Sequence, residues 1–226
     1  MRLASPQRDR FPLLLDVANG LQFLHIMGII HSDLKGQNVL ITNKYRAVIT
    51  DFGSSRAVST TTAASTTTTS SYTLYFAAPE VSLGGEKMTT MSDVWSFGCL
   101  IFQTLSRKPP YYQYLPMQVI SVLLRRDPPL RPGMEPILRP ILRPVLSPAL
   151  ATVPSQVTSS ATKSDSDFEE VSDEDEDGDE DEDEDRDWDP IDDNAWSLVL
   201  QCCASQPYDR IKVYGIQQAI KAILTF

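Results

Sequence analysis

The 226 residues carry 30 acidic and 20 basic side chains, a net charge of −10, and only three cysteines and two histidines. Cys99 and the adjacent pair Cys202 and Cys203 offer neither an even disulfide framework nor metal-ligand spacing with His25 and His31, so the expectation is buried, reduced thiols. Charges at Arg2, Arg8, Asp9 and Arg10, and Asp16 inside the next apolar stretch, argue against a signal peptide or a membrane span, and the chain reads as soluble and intracellular, cytoplasmic or nuclear.

The charge is unevenly spread. Between Asp165 and Asp193 lie twenty of the 30 acidic residues and a single base, Arg186, so a segment of −19 is attached to a body of +9. The bases of that body are scattered, with no basic run interleaved with aromatics, and no nucleic-acid partner is expected.

In chain order, Leu14, Val17, Leu21 and Leu24 recur at helical spacing and Gly28 is placed to end the helix in a left-handed conformation. Val39 to Thr42 and Ala47 to Thr50 are β-branched runs separated by Asn43 and Lys44, which predicts a hairpin with Asn38 before it and Asp51 after it. Residues 59–71 are nearly all Ser or Thr, too polar to bury, and are expected to form a mobile loop. From Asp93, expected as N-cap or first-turn carboxylate, the apolar residues Val94, Phe97, Leu100, Ile101 and Leu105 cover more than one face, as in a centrally buried helix. Met117 to Leu124 is a further helix, stopped by Asp127, Pro128 and Pro129.

The pattern then breaks. Pro-Ile-Leu-Arg at 136–139 repeats at 140–143 and, loosely, as Pro-Val-Leu-Ser at 144–147, which favours extended backbone because each proline fixes φ and removes a donor. The acidic tract follows, kept open by like-charge repulsion. Helical spacing resumes with Trp196, Val199, Leu200 and Cys203, and after a turn at Pro207 to Arg210 with Ile216, Ile220, Ile223 and Leu224.

Four motifs follow one another in a fixed order: His31-Ser32-Asp33-Leu34-Lys35-Gly36-Gln37-Asn38, Asp51-Phe52-Gly53, Ala78-Pro79-Glu80 and Ser92-Asp93-Val94-Trp95-Ser96-Phe97-Gly98. They resemble the catalytic loop, the metal-binding triplet, the end of the activation segment and the following helix of the eukaryotic protein kinases, closest in wording to the tyrosine-kinase-like Ser/Thr kinases. The resemblance runs from about Phe11 to Pro129. It implies a mainly α fold with a short β-hairpin, the C-terminal lobe of a kinase, whose closing helices come after a long insertion. The expected division is residues 1–127 for the lobe, 128–190 for a Pro-rich and acidic disordered insertion, and 191–226 for the closing helices. Lengthening a loop from about 8 to about 64 residues costs on the order of 2 kcal/mol of closure entropy, so the lobe tolerates it.

The resemblance also assigns roles. Asp33 is the group that orients and deprotonates the acceptor hydroxyl, Lys35 touches the transferred phosphate, Asn38 and Asp51 hold magnesium, and Leu40 forms the floor beneath the adenine of ATP. Lys35 and Thr73 are the choices of kinases that phosphorylate Ser or Thr. His31 and Phe52 are expected as packing residues, Asp93 as an acceptor for catalytic-loop backbone, and Glu80 and Arg210 as an ion pair across the lobe. Ser32 stands where many kinases have an arginine that binds an activation-loop phosphate, Phe76 where a tyrosine is usual and Tyr72 where a glycine is usual. The Gly-rich loop, strand lysine, helix glutamate and adenine-binding hinge of an N-lobe have no counterpart in the thirty residues before the catalytic loop.

The expected activity is therefore ATP- and Mg2+-dependent phosphoryl transfer to protein Ser/Thr, with the chain inactive when its N-lobe is missing. The alternatives are a non-catalytic, pseudokinase-like module whose acidic tract attracts basic proteins, or a gene fragment.

Overall fold

The computed structural model describes residues 8–57, 74–83, 85–136 and 189–225. The expected Ser/Thr-rich mobile loop, with Tyr72 and Thr73, lies outside these residues. So do 137–188, which hold most of the expected disordered insertion.

The chain enters through a 3-10 turn into helix α1 (Phe11–Ile26). Pro12 is tolerated in its first turn, where no helical partner for its missing N–H exists. The helix stops where Gly28 takes φ 71°, its N–H donating to the His25 carbonyl at 3.1 Å. Strand β1 (Ile29–Ile30) follows, then a loop, the hairpin β2 (Val39–Ile41) and β3 (Ala47–Ile49), and β4 (Arg56–Ala57). Both two-stranded ladders are antiparallel: Leu40 opposes Val48 in the hairpin, and Ile30 opposes Arg56 in the β1–β4 pair. The hairpin is fastened to α1 by Asp16, whose carboxylate accepts from the Arg46 guanidinium at 2.6 and 2.7 Å and from the Ala47 N–H at 3.1 Å.

After the short α2 (Pro79–Ser82), helix α3 (Thr90–Ser106) is the centre of the lobe. Thirteen of its 17 residues are buried, and Val94, Trp95, Phe97, Cys99, Ile101, Phe102 and Leu105 have no exposed surface, so the helix is apolar all round because it is enclosed all round. Its N-cap is Thr89, whose hydroxyl accepts from the Met91 N–H while Ser92 Oγ accepts from the Thr89 N–H. Asp93 therefore takes the first-turn position, leaving its carboxylate for tertiary contacts.

Helix α4 (Pro116–Leu124) and the closing pair α5 (Asp193–Cys202) and α6 (Val213–Thr225) complete the described elements. The fold is thus mainly helical with a small hairpin. Buried Gln217 docks α6 on α1 by donating to Asn19 at 2.9 Å and Gln22 at 2.7 Å. Composition assigned 128–136 to the insertion, but these residues are tied to the lobe: the Leu130 carbonyl accepts from Gln113 at 2.9 Å, and Arg131 donates to the Ile191 carbonyl at 2.6 Å. Proline stops helix there without ending tertiary contact. Among the described residues no helix is long and apolar enough to cross a membrane.

Candidate functional site

The loop between β1 and β2 is shaped by one buried carboxylate. Asp93, 1% exposed, accepts from the backbone N–H of His31 and of Ser32, each at 2.9 Å. Ser32 sits at φ 72°, a left-handed conformation that costs a non-glycine residue on the order of 1 kcal/mol or more. The two bonds to an ionised acceptor hold that turn. The Asp33 N–H then points back to His31 Nδ1 at 3.3 Å, and His31 Nε2 reaches the Thr50 carbonyl at 3.0 Å. A nitrogen that accepts carries no proton, so Nε2 is the protonated atom of His31 and the ring bridges the Asp33 turn to the strand leading into Asp51. His31 is fully buried, the packing role expected of it, and its ring meets Phe52 edge-on at 5.5 Å. Phe52 is half-exposed and does not pack beneath the site as expected, because the 3-10 turn after Asp51 carries it outward.

Asp33, Lys35 and Asn38 converge. Lys35 Nζ lies 2.7 Å from Asp33 Oδ2, and Asn38 Nδ2 donates to the Asp33 carbonyl at 2.7 Å and to Oδ2 at 3.1 Å. Buried Asn38 spends its amide N–H groups on Asp33, and its Oδ1 makes no hydrogen bond among the described residues. The start of the β3-to-Asp51 connection is bound to the same residue, since the Asn38 carbonyl accepts from the Thr50 N–H at 2.8 Å and from its hydroxyl at 3.2 Å. Asp51 is exposed at φ 59°, its Oδ1 accepting from the Gly53 N–H at 3.3 Å. The motif spacing thus brings Asp33, Lys35 and Asn38 into contact and sets Asp51 one residue from the strand end that Asn38 holds.

Asn38 and Asp51 offer amide and carboxylate oxygens, the donor chemistry of a hard divalent cation. Among the described residues no cluster of three carboxylate, imidazole or thiol groups forms, so such an ion would complete its shell with waters and with oxygens of a ligand such as phosphate. Leu40 is 58% exposed on the outward face of the hairpin, opposite half-exposed Val48. It is not a hairpin core residue, and a flat ring could rest on it. A cavity of about 390 Å3 lies under the hairpin and reaches Gly36 and Val39, but Asp33, Asn38 and Asp51 do not line it. Asp33 and Lys35 keep only 16% and 15% of their side chains exposed and Asn38 is buried, whereas Asp51 and Leu40 are open to solvent.

One residue escaped the sequence reading. His25, in the last turn of α1, brings Nε2 to 2.9 Å from Asp93 Oδ2, the same oxygen that accepts from the His31 N–H. The available signal was its place six residues before His31, at the end of a helix that runs straight into the loop.

The Protein kinase domain family matches residues 4–122, just over half the chain. Among curated proteins, the Cytokinesis protein sepH of Emericella nidulans is 40% identical over 132 residues, covering 55% of this chain and 9% of its own length. The Serine/threonine-protein kinase PDK1 of Cryptococcus neoformans is 35% identical over 111 residues, 47% of this chain and 9% of its own length. The Proto-oncogene serine/threonine-protein kinase mos of Rattus norvegicus is 38% identical over 114 residues, 49% of this chain and 33% of its own length. The chain spans only about a tenth to a third of these relatives. The order of the motifs, the helical fold that carries them and the match across residues 4–122 agree, and the chain belongs to the protein kinase domain family.

Proposed function

We propose that these residues form the substrate-side and metal-side half of a Ser/Thr-type phosphotransfer site. The observation that carries this reading is the contact of Asp33 Oδ2 with both Lys35 Nζ and Asn38 Nδ2. Asp33 orients an acceptor hydroxyl of a protein substrate and takes its proton. Lys35 places a compact positive charge where a transferred phosphate would lie. Asn38 and Asp51 hold Mg2+, and Leu40 supports the adenine of ATP. When bound, Mg2+ and ATP supply the neutralising charge and the phosphoryl group. The Ser/Thr assignment is supported by Lys35 and by the names of two of the relatives.

Taken alone, these residues cover one side of a nucleotide, whereas good ligand sites bury about 70–90% of the ligand. The chain by itself is therefore expected to bind Mg-ATP weakly and to be inactive as a kinase. Titration with Mg-ATP followed by backbone NMR tests both parts. Shifts confined to Asp33, Asn38, Leu40 and Asp51 at millimolar ATP, lost in Asp51→Asn, support the site. No shift at any attainable ATP concentration overturns it. Robust phosphorylation of a Ser/Thr substrate that vanishes in Asp33→Asn overturns the inactivity and keeps the catalytic role.

A second reading, an interaction module that attracts basic proteins through the acidic tract, is supported by the charge split, −19 over residues 165–193 against +9 in the rest of the chain. Near the tract's C-terminal end the Asp189 carboxylate is itself already shared by Arg10 at 3.0 Å and Arg107 at 2.9 Å. Capture of basic proteins that disappears at 1 M salt, where the Debye length is about 3 Å, tests it.

A further inference from the structure

Beneath the hairpin, α1 and α3 border a cavity of about 390 Å3, within the range of about 300–1,000 Å3 usual for small-molecule sites. Its inner wall is aliphatic, built by the buried side chains of Leu14, Val17, Ala47 and Leu100. Among the described residues no aromatic ring, carboxylate or side-chain amide lines it, so it suits an alkyl chain better than a flat or polar ligand. The charged groups in the lining are two arginines, Arg10 and Arg107. Their guanidiniums meet on one carboxylate, that of Asp189, with Arg10 Nη1 3.0 Å from Oδ2 and Arg107 Nη2 2.9 Å from Oδ1. Arg10 is also tied to the Thr104 and Leu105 carbonyls at 3.1 and 3.0 Å, whereas Arg107 keeps 55% of its side chain exposed. The alkyl-lined cavity thus shares its wall with two cations already arranged around a carboxylate.

We propose that this cavity binds a free fatty acid, with the alkyl chain against Leu14, Val17 and Leu100 and the carboxylate on Arg10 and Arg107 in place of the Asp189 side chain. The proposal does not depend on the phosphotransfer reading, since none of Asp33, Asn38 and Asp51 lines the cavity. Two physical effects set the affinity. Each methylene moved from water into the cavity tightens binding by about fourfold. The carboxylate gains charge-assisted hydrogen bonds that an ester cannot replace. Asp189 competes for the same donors, and because its own N–H is anchored on the Ser106 carbonyl at 3.1 Å, its side chain can swing aside while its backbone stays.

Isothermal titration of the full chain with straight-chain acids from hexanoate to tetradecanoate, each below its micelle concentration, tests the site. The dissociation constant is expected to fall about fourfold per added methylene and to level off once the chain outgrows the cavity. The methyl esters should bind at least about tenfold more weakly. Arg107→Gln should bring each acid close to the affinity of its ester. Asp189→Asn, which removes the competing carboxylate, should tighten the acids by roughly fivefold and leave the esters unchanged. Leu13→Trp, in the half-buried part of the wall, should block acids and esters alike. No binding of any acid, equal binding of acid and ester, affinity that climbs with length without a plateau, or unchanged affinity in Asp189→Asn overturns the proposal. So does binding that appears only after residues 137–188 are replaced by a linker, which would make that segment the occupant. Should Leu13→Trp fail to fold, nuclear Overhauser contacts on the wild type decide: contacts from the terminal methyl of decanoate to Val17 and Leu100 support the site, and contacts to exposed Leu115 and Met117 instead overturn it.

Discussion

Glu80 and Arg210, 130 residues apart, form a two-pronged ion pair in the interior: Nη1 to Oε1 at 2.7 Å and Nη2 to Oε2 at 2.8 Å. The pair joins α2, at the end of the activation segment, to the turn between α5 and α6. Arg210 also donates to the Ala204 and Met91 carbonyls at 3.0 and 2.9 Å, and the guanidinium lies over Trp95 at 4.9 Å.

Arg210→Ala leaves the Glu80 carboxylate buried without its cation, a loss of about 3–5 kcal/mol when a buried pair is broken from one side. Urea unfolding should show a lower midpoint with little change in slope. Arg210→Lys keeps the charge but not the planar fork, and is expected to recover only part of the loss. A midpoint equal to wild type for Arg210→Ala would mean that the closing helices do not depend on this pair.

The insertion begins and ends at a clamp. Arg131 donates to the Ile191 carbonyl at 2.6 Å, pairs with Asp193 at 2.7 Å and lies 6.0 Å from the Trp196 ring. Asp193 is 90% exposed, so the ion pair contributes little and the half-buried carbonyl bond carries the clamp. Arg131→Ala should cost about 1–2 kcal/mol. Replacing residues 137–188 by a linker of about eight residues should leave the helical circular dichroism per folded residue intact and raise stability by on the order of 2 kcal/mol, since shortening the loop reduces its closure entropy. A deletion that unfolds the lobe would show that the insertion supplies part of its core.

What the sequence disclosed divides along physical lines. Helix α1, the hairpin and the central helix announced themselves through the spacing of Leu14, Val17 and Leu21, the β-branched runs on either side of Asn43, and the continuous apolar face from Val94 to Leu105. The pairing of Glu80 with Arg210 was legible only through the family resemblance, because nothing in local spacing connects residues so far apart. Composition misplaced the start of the insertion, since prolines at 128 and 129 signal the end of a helix but not the tertiary bonds of Leu130 and Arg131. It also gave no hint of the His25 contact or of an outward-facing Phe52, as both depend on how separate segments cross. The roles of Asp33, Lys35 and Asn38 were legible only through the family resemblance, and neither their contact with one another nor the exposure of Leu40 could be read from local spacing.

Asp16 links α1 to the hairpin turn, and its hydrogen bonds from the Arg46 side chain hold its acid dissociation below the usual aspartate range, with the Ala47 N–H adding to this and burial opposing it. A folded-state value below the unfolded value of about 3.9 means stability that is present above that pH and lost as pH falls through the lower, folded value. Arg46→Ala should therefore lower the thermal midpoint at neutral pH, and the gap to wild type should close as pH falls below about 4. Because Arg46 is exposed, the gap should also shrink with added salt. A difference that persists undiminished at pH 2 would assign the effect to packing of the arginine stem.

Gly98 allows α5 to approach α3: a Cβ added there would lie 2.6 Å from Cys203 Sγ and 2.7 Å from Cys202 Cβ, distances that packed atoms do not adopt. Around that contact Cys99, Cys202 and Cys203 are buried and reduced, and burial raises the thiols of Cys99 and Cys202 well above their ordinary acidity range. Thiolate is the reactive form, so iodoacetamide at pH 8 should label none of the three while the chain is folded and all three in urea. Gly98→Ala should cost about 1–3 kcal/mol through overpacking and, by raising the population of open states, speed labelling of all three together. Rapid native labelling of Cys203 alone would show that the end of α5 opens independently of the α3 interface.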